Sequence, residues 1–247
     1  MSLIKWQSKY IIGGLLISPF APFLYLQGQI TRKKVGVLPD ASGETTGTVG
    51  DQPAAELLVI GESTVAGLGA RTHDLALAGQ FSRRLSNRIG TGVNWTVVGK
   101  GGVTADQTIR ELLPRVPDKE FDYILIGLGG NDVMKLSSPR KWRRDMIRLI
   151  DLLREKSPKS IIFVTNCPVI RLSPAIPHPI KGILWQLSRL HDANIKDFSR
   201  SLENVFYYHQ PETVPDGFFS DGVHPSELGY AAWSEAMMKF FSENYQW

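Results

Sequence analysis

The sequence predicts an α/β fold: a doubly wound, mostly parallel sheet of about five strands with helices on both faces. Three observations predict it. From residue 57 onward, short apolar runs alternate with longer stretches whose apolar residues recur at helical spacing. The short runs are continuously apolar rather than alternating, as strands covered on both faces require. The residues able to carry chemistry follow directly after the runs, at the edge where such sheets bind ligands.

The elements follow in order. Residues 57–61 form the first strand. Residues 75–89 carry Leu75, Leu77, Ala78, Phe81, Leu85 and Ile89 at helical spacing and stop at Gly90, which suits a helix end. Residues 95–98 are a second strand, and 104–113 a helix halted before Pro114. Residues 123–128 are a third strand. A helix over 139–155 opens on Pro139 and presents Trp142, Met146, Leu149, Ile150 and Leu153 as one stripe. Residues 161–165 are a fourth strand and 183–199 a helix. Residues 205–208 are a short fifth strand and 226–241 a closing helix.

The chain has 247 residues, 43% of them hydrophobic and 21% charged, enough for one α/β domain with an appendage. The formal net charge of +4 is misleading. Lys5, Lys9, Arg32, Lys33 and Lys34 supply +5 to a stretch without acids, which leaves −1 for the rest. The charge therefore gives no sign of a nucleic-acid partner. Arg140, Lys141, Arg143, Arg144 and Arg148 read as a solvated helix face, with an anionic lipid surface as the alternative. The single cysteine, Cys167, excludes an intrachain disulfide and reads as a small apolar residue at the core edge.

The chain divides into a hydrophobic membrane segment (1–30), a flexible linker (31–56) and an α/β domain (57–247). Residues 10–26 are a run of 17 without charge. As a helix the run reaches about 25 Å, slightly short of a ~30 Å hydrocarbon core, and holds Pro19 and Pro22. It reads first as a membrane anchor, which would place the protein at a bacterial inner membrane. A cleaved signal peptide and an interfacial or re-entrant hairpin are the alternatives. Basic residues flank both ends, so the positive-inside rule does not select a side. Residues 35–56 are rich in Gly, Thr, Pro and Ala and too poor in large apolar residues to fold alone.

Four short segments carry the chemistry. Ser63 follows the first strand in Gly61-Glu62-Ser63, a turn that would expose its hydroxyl; by itself the segment also reads as a helix cap. Gly102 follows the second strand and would offer a backbone N–H where a Cβ would obstruct substrate. Asn131 follows the third, in Gly129-Gly130-Asn131-Asp132, and would offer a side-chain N–H. Asp221-Gly222-Val223-His224 precedes the last helix; there Asp221 can orient His224, and His224 can act as a general base.

Together these segments resemble the four blocks of the SGNH (GDSL-type) hydrolase family, over about residues 57–241. The resemblance implies a flavodoxin-like three-layer α/β/α sandwich. It implies Ser63 as nucleophile, His224 as base and Asp221 as third member of a triad. The Ser63 and Gly102 N–H groups and the Asn131 side chain would form the oxyanion hole. It implies no metal or cofactor, and hydrolysis of carboxylic esters, thioesters, lysophospholipids or sugar O-acetyl groups. Two positions depart from the pattern. Glu62 stands where the family usually has Asp, and Gly99-Lys100-Gly101 replaces an Asn upstream of Gly102.

The expected function is therefore serine-catalysed cleavage of acyl esters, of lipid or lysophospholipid type, near a membrane. The alternatives are O-acetyl removal or acyl transfer on envelope polysaccharide, and a catalytically silent binding domain. Residues 167–180, with four prolines among Val169, Ile170, Leu172 and Ile176, would form an apolar rim for the acyl chain, joined by Phe218 and Phe219. The sequence leaves the oligomeric state open.

Overall fold

Leu57, Leu58, Val59 and Ile60 are all fully buried, yet consecutive residues of a strand point to opposite faces. The sheet must therefore be covered twice. In the computed structural model, which describes residues 2–51 and 54–246, it is. Leu58 and Ile60 pack with Trp142, Met146 and Phe198 on one side. Leu57 and Val59 pack with Phe81, Tyr230 and Phe241 on the other. The result is three layers around one mixed sheet.

The elements run α1 (Leu3–Ile17), α2 (Ala21–Val35), β1 (Thr46–Val49), β2 (Ala54–Gly61), α3 (Leu77–Ile89), β3 (Gly92–Gly99) and α4 (Ala105–Gln107). They continue as β4 (Tyr123–Gly127), α5 (Gly130–Met134), α6 (Pro139–Lys156), β5 (Ile161–Val164), α7 (Ile180–Ser199), β6 (Val205–Tyr207) and α8 (Glu227–Asn244). The strand order is β1-β3-β2-β4-β5-β6. All pairings are parallel except β1 with β3, which is antiparallel. The five parallel strands have the flavodoxin-like order, and the reversal of direction lies between β2 and β4. Gly61 pairs with Gly127 there, so the loops after the two strands emerge side by side.

The expected parallel sheet of about five strands is present, and among the described residues a sixth strand joins it: Thr46–Val49, within the stretch expected as a linker, pairs antiparallel with β3 at the sheet edge. Tertiary contact overrides the weak local signal: the Trp95 ring fills the space over Gly47, where an added Cβ would come within 2.2 Å of it. The same stretch is fastened further by Ala41 N–H to the Ala66 carbonyl and Ser42 N–H to the Arg71 carbonyl, both at 2.9 Å. The expected helix over 104–113 is not uniform. After α4 it widens into a π turn (Thr108–Leu112) and then tightens into a 3-10 turn (Leu113–Arg115).

The N-terminal segment is helical from Leu3 to Val35, with a 3-10 turn at Ser18–Phe20, and is apolar and long enough to cross a membrane. It is not detached from the domain. Trp6 is buried, the Tyr10 hydroxyl donates to the Leu136 carbonyl at 2.7 Å, and Gln27 Nε2 donates to the His178 carbonyl at 2.8 Å. Cys167 is buried in the core, and burial pushes its thiol up.

Candidate active site

The loop after β2 turns sharply. Val65 and Ala66 N–H return to the Glu62 carbonyl, and Leu68 N–H to that of Ser63. This turn sets Ser63, partly buried, at the strand end. The loop before α8 brings His224 to meet it. Ser226 caps α8 by accepting the Gly229 N–H at 3.0 Å, and Ser220 N–H donates to the His224 carbonyl at 2.8 Å. The two loops touch at Gly69, whose φ is +93°; a Cβ there would lie 2.1 Å from the Pro225 carbonyl oxygen. The Tyr230 hydroxyl ties α8 to the first loop by donating to the Leu68 carbonyl at 2.7 Å.

His224 Nε2 lies 3.1 Å from Ser63 Oγ, and His224 Nδ1 lies 2.8 Å from Asp221 Oδ2. An ionised carboxylate can only accept, so Nδ1 carries the proton and Nε2 faces the serine as an acceptor. Asp221 Oδ1 accepts the Val223 and His224 backbone N–H groups at 2.8 and 2.7 Å. Burial raises the Asp221 carboxyl, but the His224 ring and these backbone donors outweigh it and hold the group below its ordinary value. Asp221 is therefore ionised where the imidazole needs a partner.

Glu62 takes a part that sequence reasoning did not assign. Its side chain is buried and accepts Gly130 N–H at 2.6 Å, Asn131 N–H at 2.8 Å and Asn131 Nδ2 at 2.6 Å. An amide nitrogen has two hydrogens, so Asn131 keeps one beyond the bond to Glu62. Burial pushes the Glu62 carboxyl up to about 7, against the three donors, with neighbouring Asp132 adding to the rise. Asp132, also buried, accepts Ala105 N–H at 2.9 Å and the Ser137 hydroxyl at 2.8 Å, joining the loops after β3 and β4. Its carboxyl too is raised by burial.

Gly102 sits at φ +83° with open space where a Cβ would be. The protein's own packing does not demand glycine there; the backbone conformation does. Lys135 Nζ fixes this turn by donating to the Gly102 carbonyl and to Gln107 Oε1, each at 2.7 Å. Nothing in the sequence pattern pointed to Lys135.

Ser63, Gly102, Asn131 and His224 all line one cavity of about 1270 Å³. Its wall includes Val169, Ile170, Ile176, Phe218 and Phe219 from the expected rim, but Leu172 is not among them. The N-terminal helices also line it, through Ile17, Ala21, Leu24, Gly28, Thr31 and Val35. The only signal for that wall was the three-and-four spacing of these residues, hidden in a segment apolar all round.

A model of the GDSL-like lipase/acylhydrolase family matches residues 59–232. No curated protein matches. Among solved structures, a family 3 carbohydrate esterase from Clostridium thermocellum is similar at 17% identity and TM-score 0.57, over 77% of this chain and 96% of its own. The lipase Lip_vut3 from a goat rumen metagenome is similar at 19% identity and TM-score 0.55, over 75% and 97%. A family 2 carbohydrate esterase from Corynascus thermopiles (Myceliophthora fergusii) is similar at 17% identity and TM-score 0.56, over 79% and 68%. At these identities the likeness is one of fold.

Proposed function

This chain belongs to the GDSL-like lipase/acylhydrolase family and is a carboxylic ester hydrolase; on that premise we propose that it cleaves acyl esters of lipid or lysophospholipid type beside a membrane, through Ser63, His224 and Asp221. The observation that carries the reading is the hydrogen-bonded chain from Asp221 through His224 to Ser63, opening into the large cavity.

In this mechanism His224 Nε2 takes the Ser63 proton as Oγ attacks the ester carbonyl carbon. The oxyanion faces the N–H groups of Ser63 and Gly102 and the free Nδ2–H of Asn131. Collapse breaks the bond to the alcohol, which leaves with the proton from His224. Water, activated by the same imidazole, then hydrolyses the acyl-enzyme. Asp221 stabilises the imidazolium at both stages. Leu24, Leu128, Val169, Ile170, Val214 and Phe218 in the wall favour an acyl chain in the cavity. A second reading, removal of O-acetyl groups from a glycan, draws on the neighbours named as carbohydrate esterases.

The test is hydrolysis of p-nitrophenyl esters from acetyl to palmitoyl by the full chain, with Ser63→Ala beside it. Turnover that rises with chain length and vanishes in Ser63→Ala supports the lipid-ester reading. A preference for acetyl, extended to acetylated oligosaccharides, moves the assignment to the second. Turnover retained by Ser63→Ala refutes the role given to Ser63.

A further inference from the structure

We infer that the N-terminal helix pair lies along the surface of a lipid leaflet instead of crossing it, and forms the wall past which a membrane lipid's acyl chain enters the cavity. The inference rests on the ester-hydrolase reading of that cavity and adds the route of its substrate.

The first ground is where the helix is held. Near its start, Gln7 Oε1 accepts the Arg140 N–H at 3.1 Å and Tyr10 donates to Leu136. Near its end, Gln27 bonds to His178 and also accepts the Ile180 N–H at 3.3 Å. Drawn out as one continuous helix across the 3-10 turn, residues 7 and 27 would stand about 30 Å apart, the thickness of a hydrocarbon core. A spanning helix would place these two points on opposite sides of the bilayer, yet both grip one folded domain. Keeping both contacts leaves the helix only a path along the surface.

The second ground is its two faces. The inner face recurs at three-and-four spacing and meets the domain or the cavity, with Trp6 buried at one end and Val35 partly buried at the other. The outer face carries Ile12, Leu15, Leu16, Phe23, Leu26 and Ile30, each at least 58% exposed. So long an apolar stripe calls for an apolar cover. The cover is identified by charge. Lys5 and Lys9 lie at one end of the stripe, and Arg32, Lys33 and Lys34 at the other, with no acid between. Such flanks suit anionic headgroups around an in-plane helix, and fit a protein partner's apolar groove less well.

The third ground links the surface to the chemistry. Ile17, Ala21, Leu24 and Gly28 form one side of the same cavity that holds Ser63 and His224. With the outer face in the acyl region, a lipid tail can slide past this wall to Ser63 without its apolar part crossing water.

The test adds the full chain to preformed sealed vesicles of phosphatidylcholine and phosphatidylglycerol, so that the domain lies outside. Single thiols at Ser2→Cys, Val37→Cys and Asp118→Cys, each in a Cys167→Ala background, are then probed with a membrane-impermeant maleimide. Equal labelling at all three is expected. Protection of Ser2→Cys alone, released by detergent, would mean a spanning helix and overturn the inference. Leu16→Glu with Phe23→Glu should weaken vesicle binding by about tenfold or more while p-nitrophenyl acetate turnover stays unchanged. Unchanged binding overturns the leaflet contact. Leu24→Trp should lower palmitoyl ester turnover relative to acetyl; an unchanged ratio overturns the wall. Loss of acetyl turnover in Ser63→Ala reports the hydrolase reading separately, since the labelling pattern does not depend on turnover.

Discussion

Asn131 donates its side-chain Nδ2 to the Glu62 carboxyl at 2.6 Å, so the residue before the candidate nucleophile holds the candidate oxyanion donor. The extra methylene of Glu62 relative to the usual Asp has a physical consequence here. The carboxyl spans both backbone N–H groups at the start of α5 and the amide. Register makes this possible: Gly61 pairs with Gly127, and Glu62 N–H donates to the Gly127 carbonyl at 2.9 Å. The loops after β2 and β4 are thereby locked as one unit.

Asn131→Ala should lower kcat by about 10²–10³-fold with little change in KM, because the donor acts on charge that develops only in the transition state. Steady-state kinetics on a p-nitrophenyl ester measures the split. A rise in KM at constant kcat would assign Asn131 to ground-state binding.

Asp221→Asn should cost about 10⁴-fold in kcat while leaving the fold intact. The amide can still accept the Val223 and His224 backbone N–H groups through its oxygen. Its nitrogen would then face His224 Nδ1 and favour the tautomer with the proton on Nε2. Kinetics combined with circular dichroism checks this; a loss below tenfold would remove Asp221 from the mechanism.

The parallel strands were legible because each is buried on both faces and reads as a continuous apolar run. Strand β1 was not, since Thr46 and Thr48 are exposed, Gly47 and Val49 are only partly buried, and the strand takes its order from Trp95 of a distant strand. Ser63, Gly102, Asn131 and His224 were legible because chemistry in this architecture collects where strands end, and each stands in a short pattern of its own. Glu62 read only as a departure, because its partners are 68 and 69 residues away and no local pattern points to them. The cavity wall from α1 and α2 was hidden for another reason: an apolar face against a domain and an apolar face against lipid have the same composition.

Gly69→Ala should destabilise the domain by about 3 kcal/mol, since a methyl cannot fit 2.1 Å from the Pro225 carbonyl and the backbone is at positive φ. Pro225 follows His224, so the loops that bring His224 to Ser63 must separate. Urea denaturation gives the stability, and residual turnover should fall with it. A variant as stable as the parent would mean that the loops accommodate the methyl by moving apart freely.

Glu62 also gives stability a pH dependence. Burial raises its carboxyl from an ordinary value of 4.5 to about 7, so the folded state favours the protonated form. Between these values the native protein binds more protons than the unfolded chain, and stability must fall as pH rises. The contribution is fully present below pH 4.5 and is lost as pH passes 7, with a span on the order of 3 kcal/mol. Glu62→Gln cannot titrate and should lack this slope, although its amide meets three N–H donors and lowers stability at every pH. The measurement is the urea midpoint of both proteins at pH 5 and pH 8. The parent should lose more stability than Glu62→Gln over that interval. Equal losses would show that the three N–H donors keep the Glu62 carboxyl ionised in spite of its burial.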